Sequence, residues 1–408
     1  MVTVDEARSL VLERVRSVGS ETVGLEEAAG RVLRAPVDAD RDFPPFDRAA
    51  MDGFAIRSID ASNGGAQLHV VGEVRAGQIS TLVVASGQAA RIMTGAPVPA
   101  GADAVVQVER TRMDTSPGEE KVLIDAGVVA GQNIVPRGSE SRAGARLLES
   151  GLRIHASHLA VLASVGCARP IVARRPRVAI LVTGDEVVPP SATPLPAQIR
   201  NANGPALVAA VEEAGGSAAD FGIVIDEPGA TRTAIARALD ERHDAIVLSG
   251  GVSAGNFDFV EGALAELGVS VHVTAVQVKP GAPFVFGTRG ETLIFGLPGN
   301  PVSAQVTFEL FVRPALLKMQ DARALARPPL RATLTAPLVN RSGRRNYLPV
   351  LVTFTTGGLE ATPLRTQGSG DTIAHARANA LAVLGPEQSS AAPGDDVAVH
   401  PLPSFLEI

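Results

Sequence analysis

The stretch AIVLSGGVSAGNFDFV, residues 245–260, predicts the fold of the region around it. It opens with AIVL at 245–248, a short apolar run with β-branched residues that is typical of a buried strand. The paired glycines at 250 and 251 then break the strand, because glycine reaches backbone angles that are closed to other residues. From Phe259 onward apolar residues recur at helical spacing, which places Asp258 near the start of a helix.

A strand, a glycine loop and a helix start together predict an anion-binding site, because such loops are rich in N–H donors. We expect a substrate anion to contact Ser249, Gly250, Gly251 and Ser253. An ionised Asp258 only accepts hydrogen bonds, so it would repel that anion unless a divalent cation lay between them.

Strands and helices alternate over residues 174–322, which predicts a doubly wound, mostly parallel sheet. Ligands bind outside the carboxyl ends of the strands in such sheets. Carboxylates follow three strands at that edge, namely Asp185, Glu186, Asp226 and Asp258. Each alone is typical of a turn or a helix cap, but together they favour metal or substrate binding.

Other segments should bring polar groups to the same site. A strand predicted at 269–278 delivers Lys279, a point charge suited to an anion. Asn300 is placed to cap a helix that begins at Pro301, which makes a second anion-ready corner. The remaining expected substrate contacts follow strands or lie in small-residue turns: Thr183, Pro298, Gly299, Arg365 and Ser369.

The chain of 408 residues is too long for one core, and the changes in its strand and helix patterns along the sequence predict four domains. They are a discontinuous helical and mixed domain at 1–41 and 139–173, an inserted mostly-β domain at 42–138, the α/β domain at 174–322, and a β-rich C-terminal domain at 323–408. The first domain starts with a predicted helix at 2–18. The inserted domain has predicted strands at 68–72, 81–84, 104–108 and 121–124, by their alternating pattern.

Two residues of the inserted domain are candidates for binding. Asp52 precedes glycine in a proline-rich loop at 42–54, where a turn is the simpler interpretation. Thr94 could offer a hydroxyl and an N–H group to a ligand, although a proline and glycine turn explains the composition equally well.

Composition excludes several classes of protein. A net charge of −6, no basic run, no Trp and one Tyr argue against nucleic-acid binding. No apolar run approaches membrane-spanning length, and the first residues do not resemble a signal peptide. The single cysteine, Cys167, rules out a disulfide framework within the chain and fits a reducing compartment. We therefore expect a cytoplasmic protein that binds neither nucleic acid nor membrane.

Six motifs together resemble the molybdopterin molybdenumtransferase family (MoeA, and the E domain of gephyrin). They are FPPFDRAAMDG at 43–53, IMTGAPVPAGADAVV at 92–106, TGDE at 183–186, SGGVSAGNFDF at 249–259, KPG at 279–281 and GLPGNPVSA at 296–304. The resemblance spans essentially the whole chain. It implies an α/β domain of the molybdopterin-binding fold and further β-rich domains within an elongated four-domain subunit.

The implied reaction is the insertion of molybdate into adenylylated molybdopterin, with release of AMP and a requirement for Mg²⁺. The resemblance also implies a homodimer, with a composite site between the α/β domain of one subunit and the C-terminal domain of the other. The upstream adenylyltransferase would be a possible partner. Glu186, Asp226, Asp258 and Asp52 fall on acidic positions of the family and become the catalytic candidates, while Thr94 falls on a hydroxyl position. The resemblance also implies Glu186, Asp226 and Asp258 as the metal ligands.

The chain departs from the family pattern at several positions. The family commonly has Asn and Ser where this chain has Arg48 and Ala49, and a lysine where it has Ala282. Glu140 stands where an aspartate is usual. These departures concern individual molybdate contacts and leave the implied reaction class unchanged.

Two alternative functions share the α/β fold. One is the preceding molybdopterin adenylyltransferase, but that single-domain enzyme lacks the matching first 170 and last 80 or so residues. The other is a non-enzymatic dimeric scaffold, which the intact set of carboxylates disfavours.

Overall fold

The computed structural model describes residues 1–78, 80–114, 120–251 and 259–406. The chain divides into two compact units. The first unit comprises Met1–Arg34, Ser150–His155 and Ile171–Ile408, and the second comprises Ala35–Glu149 and Ala156–Pro170. The four-domain division proposed from the sequence stays a prediction. Across the described ranges, no helix is both long and apolar enough to cross a membrane.

The described residues form nine α-helices. They are α1 (Val4–Glu13), α2 (Leu25–Ala28), α3 (Ala156–Ser164), α4 (Asn203–Glu213), α5 (Pro228–Asp240), α6 (Phe259–Glu266), α7 (Pro301–Thr307), α8 (Arg313–Met319) and α9 (Thr372–Ala376). A π-helical turn, Phe308–Val312, joins α7 to α8. The helix predicted at 2–18 is shorter at both ends, and a reciprocal capping box between Thr3 and Glu6 begins it.

Strands are more numerous. In chain order they are β1 (Ser20–Thr22), β2 (Val37–Asp38), β3 (Arg48–Ala49), β4 (Gly53–Ile56), β5 (Ala66–Val74), β6 (Gln88–Ile92), β7 (Ala104–Gln107), β8 (Thr111–Asp114), β9 (Lys121–Ile124), β10 (Ile134–Val135), β11 (Arg146–Leu148), β12 (Ile171–Ala173), β13 (Arg177–Thr183), β14 (Val187–Val188), β15 (Ile199–Arg200), β16 (Ser217–Val224), β17 (Ala245–Ser249), β18 (Ser270–Ala275), β19 (Val278–Lys279), β20 (Pro283–Arg289), β21 (Thr292–Leu297), β22 (Leu330–Leu334), β23 (Leu338–Val339), β24 (Arg345–Thr355), β25 (Gly358–Pro363), β26 (Ala380–Leu384), β27 (Ser390–Ala391) and β28 (Asp396–Pro401).

The central sheet of the first unit has the order β16-β13-β17-β21-β20-β18. The first four strands pair in parallel. β20 pairs antiparallel with β21 on one side and with β18 on the other. Alternate residues of β13 pack into different cores, Ile180 with α4 and α7 and Leu181 with α5 and α6. Both faces are therefore covered, which is why β13 and β17 read as continuous apolar runs. The predicted doubly wound, mostly parallel α/β fold is confirmed.

The strand predicted at 269–278 is wrong as a single element. It divides into β18, at the antiparallel edge of the central sheet, and β19, which instead pairs in parallel with β24. The hairpin strand β20 was not predicted, although PFVFG between two turns carries a strand pattern.

The C-terminal strands close into a barrel. β24, β25, β22, β28 and β26 pair in sequence, and β26 pairs back to β24. Apolar side chains fill the interior, including Val350, Ala382 and Val399. The predicted β-rich texture is correct, but closure brings together strands far apart in the chain, so local patterns did not indicate it.

The second unit is built on a sheet of order β7-β4-β6-β5-β9-β8. Its strands place apolar side chains in two cores, with Phe54 in one and Ala55 in the other. The strand predicted at 81–84 is wrong, because only Val83 forms an isolated bridge there. The actual neighbour of β4 and β5 is β6, whose sequence QAARI lacks a strong β pattern.

Candidate functional site

A cleft of about 970 Å³ lies in the first unit, where the carboxyl ends of the parallel strands face the C-terminal barrel. Twelve of the residues expected from the sequence line it: Thr183, Glu186, Asp226, Ser249, Gly250, Gly251, Lys279, Pro298, Gly299, Asn300, Pro301 and Ser369. Arg365 is not among the lining residues. Ser253 and Asp258 lie outside the described residues.

Two glycine-containing loops approach each other on the cleft wall. The first follows β17, where Gly250 has a φ of +103°. A β-carbon at Gly250 would lie 2.5 Å from the Thr183 carbonyl oxygen, so only glycine fits. The second loop follows β21, and a β-carbon at Gly299 would lie 3.6 Å from the Gly250 Cα. Backbone therefore approaches backbone, which leaves the loop surfaces free for a ligand.

A buried side-chain network holds these loops together. Asn203, the first residue of α4, donates from Nδ2 to Ser249 Oγ and to the Gly299 carbonyl, both at 2.8 Å. Ser249 Oγ in turn donates to the Pro298 carbonyl at 3.2 Å. Asn203 is 8% exposed and Ser249 is fully buried. Sequence reasoning missed Asn203, because an asparagine before a helix is normally interpreted as a cap.

Three carboxylates lie together at the edge of the cleft. The backbone N–H of Asp226 donates to Asp185 Oδ1 at 3.0 Å, which fixes the two turns against each other. Burial raises the pKa of Asp226, and the charges of Asp185 and Glu186 raise it further. Neither Glu186 nor Asp226 forms an ion pair with a basic residue among the described ranges. This local excess of negative charge suits a cation.

The described part of the chain contains no group of three His, Cys, Asp or Glu side chains placed to hold a metal ion. Asp258, the third expected ligand, lies outside that part, and α6 begins directly after it at Phe259. The two described ligand candidates, Glu186 and Asp226, therefore supply only a partial site.

Two basic side chains also line the cleft. Lys279, delivered by β19, and Arg344, immediately before β24, have no ion-pair partner among the described residues. Arg344 was not predicted, because a charged residue in a loop carries no periodic signal. The cleft thus contains cations and carboxylates that form no ion pairs among the described residues, an arrangement suited to an anion bound through a metal ion.

The predicted cap of α7 is wrong in detail. Asn300 holds the N-cap position, but its side chain makes no capping hydrogen bond and is exposed. The N–H of Val302 instead donates to the Ser369 carbonyl at 3.1 Å. Ser369 therefore contacts α7 through its backbone, and this bond ties the C-terminal domain to the second loop.

Residues 327–329 connect the α/β domain to the C-terminal strands, and the same chain's barrel lines the cleft through Arg344 and Ser369. Strand β19 also joins the barrel by pairing with β24. A partner subunit is therefore not needed to bring C-terminal residues to this site.

In the second unit, the structure pairs the two candidate residues with each other. Thr94 donates to Asp52 Oδ1 from its N–H at 2.6 Å and from its hydroxyl at 2.9 Å. These bonds, the backbone one first, lower the pKa of Asp52. The donors expected to face a ligand are thus already used, while the second carboxylate oxygen of Asp52 remains available.

Two departures from the family pattern also meet in the second unit. Arg48 Nη2 donates to Glu140 Oε1 at 2.9 Å. The arginine at position 48 thus occurs together with a glutamate at position 140. The glutamate side chain is longer than the usual aspartate and reaches the guanidinium group. The pair is largely exposed, so its contribution to stability is small.

Family descriptions match three successive parts of the chain. They are the MoeA N-terminal region (domain I and II) over residues 2–166, a probable molybdopterin binding domain over 179–318, and the MoeA C-terminal region (domain IV) over 331–402. The cleft described above lies within the second and third of these parts.

Individual proteins are similar over nearly the same span. A molybdopterin molybdenumtransferase from Nostoc sp. is 35% identical, covering 99% of this chain and 94% of the relative. One from Bacillus subtilis is 33% identical, covering 94% of this chain and 90% of its own length. The crystal structure of a molybdopterin biosynthesis MoeA protein from Pyrococcus horikoshii OT3 has a TM-score of 0.82 at 27% identity, covering 98% of this chain and 100% of that one. The chain therefore belongs to the molybdopterin molybdenumtransferase family.

Proposed function

We propose that the protein is a transferase that inserts molybdenum into molybdopterin, with molybdate and adenylylated molybdopterin as substrates and AMP as a product. The observation that carries the proposal is the cleft itself. It presents two glycine-containing loops within one cavity, together with carboxylates and cations that form no ion pairs among the described residues. Its volume of about 970 Å³ is at the upper end of ordinary small-molecule sites, as a substrate of this size requires.

The two loops would hold the pyrophosphate group that links AMP to molybdopterin. Backbone N–H groups in glycine turns form anion-binding concavities that need no charged side chain. Lys279 and Arg344, which also line the cleft, would bind molybdate or phosphate oxygens, and Arg344 would supply a positive charge in place of the lysine missing at Ala282. Asp52 and Thr94 remain part of the proposal as catalytic and substrate-binding residues, respectively.

Mg²⁺ fits the carboxylate edge, because Asp226 and Glu186 repel each other and have no basic partner in the described part of the chain. We propose Glu186, Asp226 and Asp258 as its ligands. When bound, the ion would neutralise negative charge on the pyrophosphate. The two loops, Lys279 and Arg344 would then orient the phosphates and position the leaving AMP.

A molybdopterin adenylyltransferase and a scaffold remain the alternatives, and neither is favoured. The full-length relatives carry the molybdenumtransferase name, and the matches extend over the N-terminal and C-terminal regions. A scaffold would not require a cleft whose carboxylates and cations, within the described residues, are left without ion-pair partners.

A cytoplasmic homodimer is also part of the proposal. The family resemblance supports dimerisation and a composite site, in which a partner subunit would add residues to a cleft that one chain already forms. The upstream adenylyltransferase is the proposed source of the substrate. Sedimentation velocity at micromolar concentration tests the dimer.

The decisive experiment measures AMP release from adenylylated molybdopterin in the presence of molybdate and Mg²⁺. We expect Glu186→Gln to lower the rate about a hundredfold, the usual cost of removing one group that stabilises the transition state. Glu212→Gln, on the exposed side of α4, is the matched control and should release AMP at the wild-type rate. Equal rates for the two variants would remove Glu186 from the site, and a wild-type protein that releases no AMP would refute the proposed function.

A further inference from the structure

The orientation of the Asn203 amide is determined by its partners. The Gly299 carbonyl oxygen can only accept a hydrogen bond, so the atom facing it at 2.8 Å must be Nδ2. The second proton of Nδ2 goes to Ser249 Oγ, whose own proton goes to the Pro298 carbonyl. Both donors of one side chain are therefore used to join two loops.

The two loops are also joined directly. They leave the neighbouring parallel strands β17 and β21, the Gly250 N–H donates to the Leu297 carbonyl at 3.1 Å, and the Ser249 hydroxyl donates to the Pro298 carbonyl. The main chains come close enough that a β-carbon on Gly299 would lie 3.6 Å from the Gly250 Cα. A rigid amide that bonds both loops fixes this spacing, because it belongs to α4 and not to either loop.

The acceptor side of the same amide is not used. Asn203 Oδ1 is buried and has no hydrogen-bond partner among the described residues. A buried polar atom without a partner is unfavourable, so a side chain kept in this state suggests a ligand that completes it. Asn203 also lines the cleft. An N–H group of a bound ligand would satisfy Oδ1.

We propose that Asn203 is a positioning residue that sets the distance between the loops at 249–251 and 298–300 for a pyrophosphate group, and that its Oδ1 accepts a ligand N–H. The inference rests on the proposed function, since it assigns pyrophosphate to these loops. It adds a residue that acts through the backbone of both loops and need not touch the phosphates.

The test measures binding of inorganic pyrophosphate with MgCl₂ by calorimetry. We expect Asn203→Ala to weaken binding about 30-fold, because two hydrogen bonds that hold the loops are lost. Asn379→Ala is the matched control. Asn379 is a buried barrel residue that bonds Val352 N and Val352 O at 2.7 and 2.8 Å and does not line the cleft. It should lower the melting temperature by a similar amount and leave pyrophosphate binding unchanged.

A second variant keeps the inference testable if Asn203→Ala does not fold. Ser249→Ala removes only the hydroxyl that accepts from Asn203, so it should weaken binding less than Asn203→Ala. The double variant should be weaker than wild type by less than the product of the two single effects, because both changes remove the same bond.

The outcomes separate the inference from the proposed function. Wild-type protein that binds no pyrophosphate would refute both, because the loops would not be a phosphate site. Wild-type protein that binds, with Ser249→Ala or Asn203→Ala binding equally well, would refute only the role of Asn203. An affinity loss matched by the Asn379→Ala control would make Asn203 merely structural.

A comparison of AMP with pyrophosphate addresses Oδ1, since AMP carries an amino group and pyrophosphate does not. The Asn203→Ala substitution must therefore weaken the binding of AMP more than the binding of pyrophosphate.

Discussion

Replacing Gly250 by alanine tests the claim that backbone approach builds the cleft. The new β-carbon would lie 2.5 Å from the Thr183 carbonyl oxygen and 2.7 Å from Thr183 Oγ1. Thr183 ends β13, and the preceding residue pairs with Ser249 in the parallel sheet, so the carbonyl cannot move away freely. The φ of +103° adds strain for any L side chain. The backbone term costs about 1–3 kcal/mol and the overlap about 1–3 kcal/mol, which gives roughly 2–6 kcal/mol.

Gly290→Ala is the matched control for that substitution. Gly290 has a φ of +58°, but a β-carbon there would meet nothing within 4 Å. Only the left-handed backbone is penalised, by about 1–2 kcal/mol. Scanning calorimetry and far-ultraviolet circular dichroism suit the comparison, because the chain has no Trp and one Tyr. A chain of several domains does not unfold in one step, so the first transition is compared.

We expect Gly250→Ala to lower the first transition temperature more than Gly290→Ala and to weaken pyrophosphate binding. Equal melting and equal affinity in the two variants would refute the argument, because the overlap with Thr183 would then carry no cost.

Two further predictions concern Asp226 and the oligomeric state. The raised pKa of Asp226 means that folding disfavours its ionised form. The contribution of this carboxyl group to the free energy of unfolding is therefore favourable below its usual pKa of 3.8, and it is lost as the pH rises through the raised value. The Asp226→Asn variant should therefore have a higher melting temperature than the wild type at neutral pH without Mg²⁺, and the same melting temperature at pH 3. Mg²⁺ should raise the melting temperature of the wild type only. A lower melting temperature of the variant at neutral pH would contradict this reasoning. Sedimentation velocity at micromolar concentration should show a dimer, and a fully active monomer would exclude the composite site.

Much of the central sheet could be predicted from local sequence. Residues 178–182 of β13 and 245–248 of β17 are all apolar because both faces of the sheet are buried there, so these strands can be recognised without knowing their partners. The ends of α4 carry equally local signals, namely Pro205 in its first turn and the glycines that follow it at 215 and 216. Because parallel strands share one edge, these elements also predicted that Thr183, Asp226 and Ser249 would lie near one another, as they do.

The tertiary structure decided what depends on contacts between distant residues. Nothing in residues 269–278 indicates that β19 leaves its sheet for the barrel, because strand pairing depends on which edge is free in the folded chain. Asn203 and Arg344 were missed for the same reason, since each acquires its role from groups more than 40 residues away. Thr94 was expected to face a ligand, yet its donors bond Asp52, 42 positions earlier. Local patterns identify strands, helices and glycine loops, whereas hydrogen-bond partners are chosen by geometry that exists only after the chain has folded.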